Sequence, residues 1–164
     1  MNAPYDTVWS TVTNVAGATF FSIKNFDKGS GLMTLDYSNL RNVGPYKDCG
    51  SVSGGIQIGT FPGTSPDSIF NYSAAKRLSL SGTGNITIRP MGPRKTLIQV
   101  NSLYRLTAFG LNADNIPVEV AVWRFTTREP DTQSFPVNFA VRPVTCRPSY
   151  KLEQDFLTEV SARL

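Results

Sequence analysis

The stretch YDTVWSTVTNVAGATFFSIKNFDKGSGLMTLDYS, residues 5–38, decides the fold because its hydrophobic period changes halfway along. The first half spaces apolar residues by three and four, the pattern of one helical face: Tyr5, Val8, Trp9, Val12, and Val15 or Ala16. We expect Asn2 to cap this helix, Pro4 to lie in its first turn and Gly17 to end it. Because Thr and Val are poor helix formers, the helix must depend on docking Trp9 into a core.

The second half of the same stretch alternates apolar and polar residues. Phe21 and Ile23 point to one side of a strand, the turn sequence DKGSG follows, and Met33, Leu35 and Tyr37 alternate again. Two alternating runs joined by a short Gly-containing turn predict an antiparallel β-hairpin.

Strands continue in the second half of the chain. In KRLSLSGTGNITIRP, residues 76–90, the apolar residues keep one parity across two glycines, which predicts one long strand rather than a hairpin. TLIQVNSLYRLTA, residues 96–108, continues the pattern. In PVEVAVWRFTT the apolar face slips from Val118, Val120 and Val122 to Trp123 and Phe125, which indicates a bulge or a two-faced strand.

The chain closes on one further strand and a helix. SFPVNFAVRPV, residues 134–144, predicts a last strand, which Pro136 places at a sheet edge. SYKLEQDFLTEVSARL, residues 149–164, predicts an amphipathic helix capped by Ser149. Its inward positions are Leu152, Phe156 or Leu157, Val160 and Leu164.

This order of elements predicts one α+β domain over residues 1–164. We expect an antiparallel sheet of five to six strands with the N- and C-terminal helices packed on one face, a helix-grip-like arrangement. Residues 39–75 are rich in Gly, Ser and Pro and predict a long irregular surface loop, with a short strand around residues 55–58.

Composition and charge narrow the function classes. The net charge of +4 comes from scattered basic residues without a basic helix, so we expect no nucleic-acid partner. The sequence has no apolar run near 18 residues and no signal-peptide pattern at its start. The protein is therefore cytosolic, or Met1 replaces a leader. We expect a monomer.

The two cysteines, Cys49 and Cys146, decide between these compartments. Both fall at the ends of predicted elements, as disulfide partners do, and no third cysteine competes. We favour a disulfide over two buried thiols and therefore an extracytoplasmic location, in the periplasm or at the outer membrane. The crosslink closes a loop of 97 residues.

The sequence contains few residues that could form a catalytic or metal-binding site. Without histidine, serine- and cysteine-based triads lack their base, and two isolated cysteines cannot form a zinc site. The acidic pairs Asp27 with Asp36 and Glu129 with Asp131 fit solvated surface charge better than a catalytic pair. We therefore predict no catalytic residue, no metal and no cofactor, in a protein that is not an enzyme.

Residues 5–38 resemble a helix followed by a β-hairpin in soluble domains of Gram-negative envelope lipoproteins, the BamC (NlpB)-like helix-grip type. The matching positions are Trp9, Val12, Phe21, Ile23, Asp27, Gly31, Leu32 and Tyr37. YKDCG and CRPSYKLEQDFL are also similar to uncharacterised envelope proteins in which the two cysteines pair. The resemblance implies a binding or scaffold module, with any lipid anchor attached through a removed N-terminus.

Two functions follow as hypotheses. The first is a non-catalytic envelope domain that docks other envelope proteins and could act as a surface antigen. The second is a carrier of a small apolar ligand or lipid, held in a cavity whose candidate lining is Trp9, Phe20, Phe21, Trp123 and Phe125. The simpler alternative is that these aromatic residues fill the core.

The irregular segment supplies a candidate partner surface. Residues 50–68 contain one ionised residue, Asp67, and are rich in Gly and Ser, so we expect them to be mobile and exposed. With Tyr46 and Phe61 they form the predicted contact surface for a partner or antibody. A passive connector is the equally weighted alternative.

Overall fold

A computed structural model describes residues 1–40, 42–52, 54, 56–59, 61, 64–65 and 67–164, without the side chain of Asn39. In chain order its helices and strands are α1 (Tyr5–Ala18), β1 (Ser22–Asp27), β2 (Leu32–Leu40), β3 (Lys47–Asp48), β4 (Arg77–Gly92), β5 (Lys95–Leu111), β6 (Pro117–Thr126), β7 (Asp131–Val137), β8 (Ala140–Pro148) and α2 (Lys151–Ala162). Two short 3-10 helices cover Gly44–Tyr46 and Ile69–Tyr72.

The strands form two sheets. Five strands make an antiparallel sheet in the order β1-β2-β4-β5-β6, and three make a smaller one in the order β3-β8-β7. The α+β class, the five-stranded sheet and the two terminal helices were predicted from the sequence. The chain divides into two compact units, residues 1–37, 82–102 and 151–164, and residues 38–81 and 103–150.

The first unit buries the inner faces of both helices against strands β2 and β4. Its core contains Val8, Trp9, Val12, Val15, Ala16, Met33, Leu35, Ile86, Ile88, Phe156 and Val160. Trp9 is buried, and Leu152, Phe156 and Val160 face inward as predicted, whereas Leu164 is exposed. The apolar spacing of three and four therefore did locate the buried face of each helix.

The predicted ends of α1 were wrong. Pro4, whose ring fixes φ near the helical value, occupies the N-cap position, and no side chain caps this end. Gly17 lies inside the helix, which ends after Ala18.

The β1–β2 hairpin has a glycine that its geometry requires. Gly31 has φ of 70°, a left-handed conformation, and its carbonyl accepts a 2.8 Å hydrogen bond from the backbone N–H of Ile88. A Cβ atom here would lie far inside the van der Waals distance of the Ile88 carbonyl oxygen. Glycine thus lets β2 begin directly beside β4.

The later strands confirm two expectations and correct a third. β4 runs unbroken through both glycines, and the slipped face in β6 is a bulge in which Val120 is the extra residue opposite β5. The single last strand was wrong, because β7 and β8 form a hairpin. Its turn residues, Asn138 and Phe139, have φ of 49° and 62°, as a two-residue turn between twisted strands requires.

The segment between β2 and β4 carries more structure than expected. It contains β3, both 3-10 helices and a bridge between Ser51 and Ser68. Ile69 and Phe70, which we expected at the surface, are buried in the second unit. No strand forms over the described residues 56–58, and Gly55 of the predicted short strand lies outside the described residues.

Candidate functional site

A buried disulfide joins Cys49 to Cys146 in the second unit, as predicted. Cys49 directly follows β3, and Cys146 lies in β8, the neighbouring strand of the small sheet. An ion pair of 3.2 Å between Arg147 Nε and Asp48 Oδ2 flanks the crosslink at the surface. The bond therefore fixes the irregular segment after β2 to the strand that precedes α2.

An aromatic cluster fills the second unit. Phe70, Trp123 and Phe135 meet edge to face with ring centroids 5.2–5.7 Å apart. The Trp123 indole N–H donates to the Val144 carbonyl at 2.8 Å, which satisfies its only polar atom. Tyr104 stacks on Phe125. These aromatic side chains act as core in this unit.

The candidate pocket residues have three different environments. Trp9 is in the first unit's core, and Trp123 and Phe125 are fully buried in the second unit. Phe20 is half-exposed and lies against Phe21, with ring centroids 4.5 Å apart.

Phe21 lines a small cavity in the first unit. The other lining residues are Leu35, Gly84, Ile86, Val100, Ser102, Leu152, Glu153 and Phe156. The cavity volume of about 10 Å³ accommodates roughly one water molecule, whereas ligand sites typically measure about 300–1,000 Å³. Burial, and secondarily the Glu153 carboxylate, raise the pKa of the nearby Tyr37 phenol. The carrier hypothesis thus gains no support here and stays a prediction.

The predicted partner surface around Tyr46 and Phe61 is partly enclosed. Both side chains are half-buried, and the Phe61 ring packs edge to face on Phe70 with centroids 6.2 Å apart. The Tyr46 carbonyl accepts a hydrogen bond from the Ser149 backbone N–H. Their role in binding stays a prediction.

The end of the β5–β6 hairpin in the second unit exposes four apolar side chains. We call it the hairpin-end patch, and it comprises Leu111 (45% exposed), Ile116 (55%), Val118 (38%) and Val120 (44%). All four lie at the end of the β5–β6 hairpin. Gly110 makes this arrangement possible, because a Cβ atom there would lie 2.9 Å from Val120 Cγ1.

The turn that carries this patch is rigidly hydrogen-bonded. The Asn112 side-chain oxygen accepts from the backbone N–H groups of Asp114 and Ile116, at 3.0 and 2.8 Å. The Asn112 N–H donates to the Ile116 carbonyl at 3.0 Å, and Asn115 takes a left-handed φ of 60°. Asn is well suited to accepting backbone N–H groups in a turn and to adopting a left-handed φ. The patch is thus held in one conformation.

The patch borders an open sheet edge. β6 ends the five-stranded order, and in the described part of the chain no strand pairs with its outer side over residues 117–122. Further along, the edge is closed, because the Arg124 backbone N–H donates to Asp131 Oδ2 at 2.7 Å and the Thr126 N–H donates to the Glu129 carbonyl. Along β6, the stretch beside the patch is therefore the part that no described strand pairs on its outer side.

The opposite edge of the same sheet, β1, is protected in the usual ways. A register irregularity lies at Lys24, between Ile23 and Asn25, and Lys24 pairs with Asp36 at 2.8 Å. Bulges and charges of this kind discourage edge pairing. The edge at β6 also has a bulge and an ion-paired charge, Glu119 with Arg105 at 3.3 Å, but exposed valines, Val118 and Val120, lie on both sides of that charge. Sequence analysis missed this site because it assigned Val118 and Val120 to the buried face.

Lys47 is a second unusual feature of the second unit. Its side chain is buried, and Nζ lies 4.6 Å from the centroid of the Phe70 ring. Burial lowers the pKa of Lys47 to about 8, although the Asp48 carboxylate opposes the shift. The ring supplies part of the stabilisation that water would give to the ammonium group.

The described residues contain neither a metal-ligand cluster nor a membrane-spanning helix. Among them, no three His, Cys, Asp or Glu side chains gather as metal ligands would. None of the helices they form is long and apolar enough to span a membrane.

Comparison of the chain with protein-family models, curated proteins and solved structures found no significant match.

Proposed function

We propose that this chain is a non-catalytic, extracytoplasmic binding module of the cell envelope, which docks an extended segment of a partner protein along the open edge of β6. The observation that carries the proposal is the hairpin-end patch beside unpaired backbone groups. Strand addition needs both features: backbone groups supply hydrogen bonds, and apolar side chains spaced by two supply specificity.

Preorganisation favours this surface over others in the second unit. The Asn112 turn fixes the patch before a partner arrives, so association loses little conformational entropy at this site. Exposed aliphatic edges also carry an aggregation risk, which proteins ordinarily remove with lysine, proline or a bulge. β6 carries a bulge at Val120 but no lysine, and its proline lies only at its first residue, Pro117. A binding function explains why the aliphatic edge persists.

The proposed location depends on the disulfide. Disulfides form and persist in oxidising compartments, and this one is buried rather than exposed to exchange. The resemblance of residues 5–38 to BamC-type envelope lipoproteins supports the same compartment. On the outer cell surface the β5–β6 hairpin end would be accessible to antibodies, as a surface antigen requires.

A library of random linear peptides displayed on phage provides the direct test. Peptides selected on the oxidised full-length chain should alternate apolar and polar residues. In amide hydrogen exchange, a bound peptide should protect the backbone N–H groups of residues 118–122 that point away from β5. Selected peptides that leave β6 unprotected would overturn the assignment of the site.

Edge-blocking variants supply the matched comparison. Val118→Lys and Val120→Lys should each weaken binding of a selected peptide by at least tenfold, because they place a charge where the peptide's apolar side chains pack. Val141→Lys, at another exposed strand position of the second unit, is the control and should leave binding unchanged. Equal losses in all three variants would show that only net charge matters.

A further inference from the structure

The first unit carries a separate cationic surface at the turn between β4 and β5. Arg89, Arg94 and Lys95 are all exposed there, and none of the ion pairs in the described structure involves them. The segment from residue 82 to residue 102 contains no acidic residue. Three cations therefore face solvent uncompensated at one end of the sheet.

Exposed aliphatic side chains lie on the same side as these cations. They are Leu32 (51% exposed), Met91 (62%) and Leu97 (46%). Side chains alternate along a strand, so Arg89 and Met91 point away from the buried Ile88. By the same alternation Lys95 and Leu97 point away from the buried Thr96, and Leu32 away from Met33.

Because β2, β4 and β5 are neighbours in the sheet, these residues occupy one face. We call this face, together with Arg94 in the adjoining β4–β5 turn, the basic face, and it comprises Leu32, Arg89, Met91, Arg94, Lys95 and Leu97. Both helices of the first unit bury their apolar sides on the other face of the sheet.

The carboxylates of the first unit lie elsewhere or are ion-paired, with the exception of Asp27. Asp6 pairs with Lys28, and Asp36 pairs with Lys24. Asp27 stays charged, because its carboxylate accepts the Gly29 backbone N–H, and it lies opposite Leu32 in the β1–β2 register. The remaining acidic side chains, Glu153, Asp155 and Glu159, are on α2. Around the basic face, the three unpaired cations therefore outnumber the one unpaired carboxylate, Asp27.

We infer that the basic face docks on the surface of a phospholipid bilayer that contains anionic headgroups. Arg and Lys near such a surface gain from its negative potential, and aliphatic side chains between them can enter the headgroup boundary. The basic face presents cationic and aliphatic side chains on the same side of the sheet. A single-stranded nucleic acid would need aromatic rings for its bases to stack on, and the apolar residues of the basic face are all aliphatic.

Vesicle co-sedimentation of the oxidised full-length chain tests this inference. The chain should bind vesicles made from equal parts phosphatidylglycerol and phosphatidylcholine, and should not bind pure phosphatidylcholine. Each neutralised cation should lower the partition coefficient about fivefold, so the triple variant R89Q/R94Q/K95Q should lose roughly 100-fold. Added salt should weaken binding of the wild type.

Two controls separate the basic face from net charge. The triple variant K24Q/K151Q/R163Q removes the same number of charges from residues that are already ion-paired, and should lose far less affinity. M91S/L97S keeps the charge but should also weaken vesicle binding. Far-ultraviolet circular dichroism verifies that each variant is folded.

Three results would overturn the inference. The first is no binding to phosphatidylglycerol vesicles at low salt. The second is equal losses in the two charge-neutralised triple variants. The third is undiminished binding by M91S/L97S together with equally tight binding to a duplex DNA probe, which would indicate a general polyanion site.

Discussion

Opening the Cys49–Cys146 disulfide should destabilise the second unit strongly. The crosslink joins residues separated by 97 positions. In the chain-entropy description a loop of this length restricts the unfolded chain by roughly 4–5 kcal/mol at 25 °C. Since domains are typically stable by about 5–15 kcal/mol, the reduced chain should keep only a small part of its stability.

The two tryptophans allow this loss to be assigned to one unit. Trp123 is in the core of the second unit with the disulfide, and Trp9 is in the core of the first. In a Trp9→Phe chain, fluorescence therefore reports unfolding around Trp123 alone. Urea titrations of the oxidised and reduced forms therefore measure how much the Cys49–Cys146 bond contributes to the stability of the same chain.

With urea slopes of about 1–3 kcal/mol/M, the midpoint reported by Trp123 should fall by roughly 1.5–5 M on reduction. Cys49→Ala combined with Cys146→Ala should give a loss of the same size under oxidising conditions. If the reduced chain unfolds within about half a molar unit of the oxidised one, the disulfide does not stabilise this unit and the entropy argument fails.

Three further predictions concern single side chains. Trp9→Ala should cost about 3–5 kcal/mol of unfolding free energy, and a loss below about 1 kcal/mol would mean that α1 is not docked. Gly31→Ala should cost more than about 2 kcal/mol of unfolding free energy, because Gly31 has a left-handed φ and the new Cβ would clash with the Ile88 carbonyl. Gly17→Ala lies in a helix with open space around it and should be neutral or stabilising. Equal effects of the two substitutions would contradict this. The pKa of Lys47 is about 8 in the folded chain and about 10.4 in the unfolded chain. Between about pH 8 and about pH 10.4 the unfolded chain therefore binds more protons, and the stability of the fold rises with pH over this range. Lys47→Met should therefore be more stable than the wild type by up to roughly 3 kcal/mol at pH 7, with the difference shrinking toward pH 10; a difference that does not change with pH refutes the buried-charge interpretation.

Hydrophobic period predicted the parts of this fold in which one face is buried. The spacing around Trp9 located α1, and the alternation through Met33 and Leu35 located the first hairpin. The pairing of Cys49 with Cys146 was predictable because both lie at element ends and no third cysteine competes.

Other features were not predicted from the sequence because they depend on backbone conformation and on contacts between distant residues. The β7–β8 turn places Phe139 at a positive φ, where a sequence pattern favours Gly or Asn, so the hairpin was predicted as one strand. The Ser149 hydroxyl, predicted from the sequence as a cap of α2, donates to the Pro45 carbonyl, a contact 104 residues away that no local pattern encodes.

The candidate site was the least predictable feature. Val118 and Val120 have the composition of buried strand residues, and their exposure follows from the bulge and from the position of β6 at the end of the sheet. Strand order is a tertiary property. The sequence indicated the bulge through the slipped apolar face, and only the sheet order showed that it lies at an open edge.

Photo-crosslinking in the native cell tests the central claim most directly. A benzophenone amino acid replaces Ile116 in the hairpin-end patch, and the control carries it at Gln154, which is exposed on α2 of the first unit. We predict that irradiation joins the chain to one exported or membrane-associated protein from position 116 and not from position 154. The same adducts from both positions, or adducts with cytosolic proteins alone, would contradict the claim that this edge binds a partner in the cell envelope.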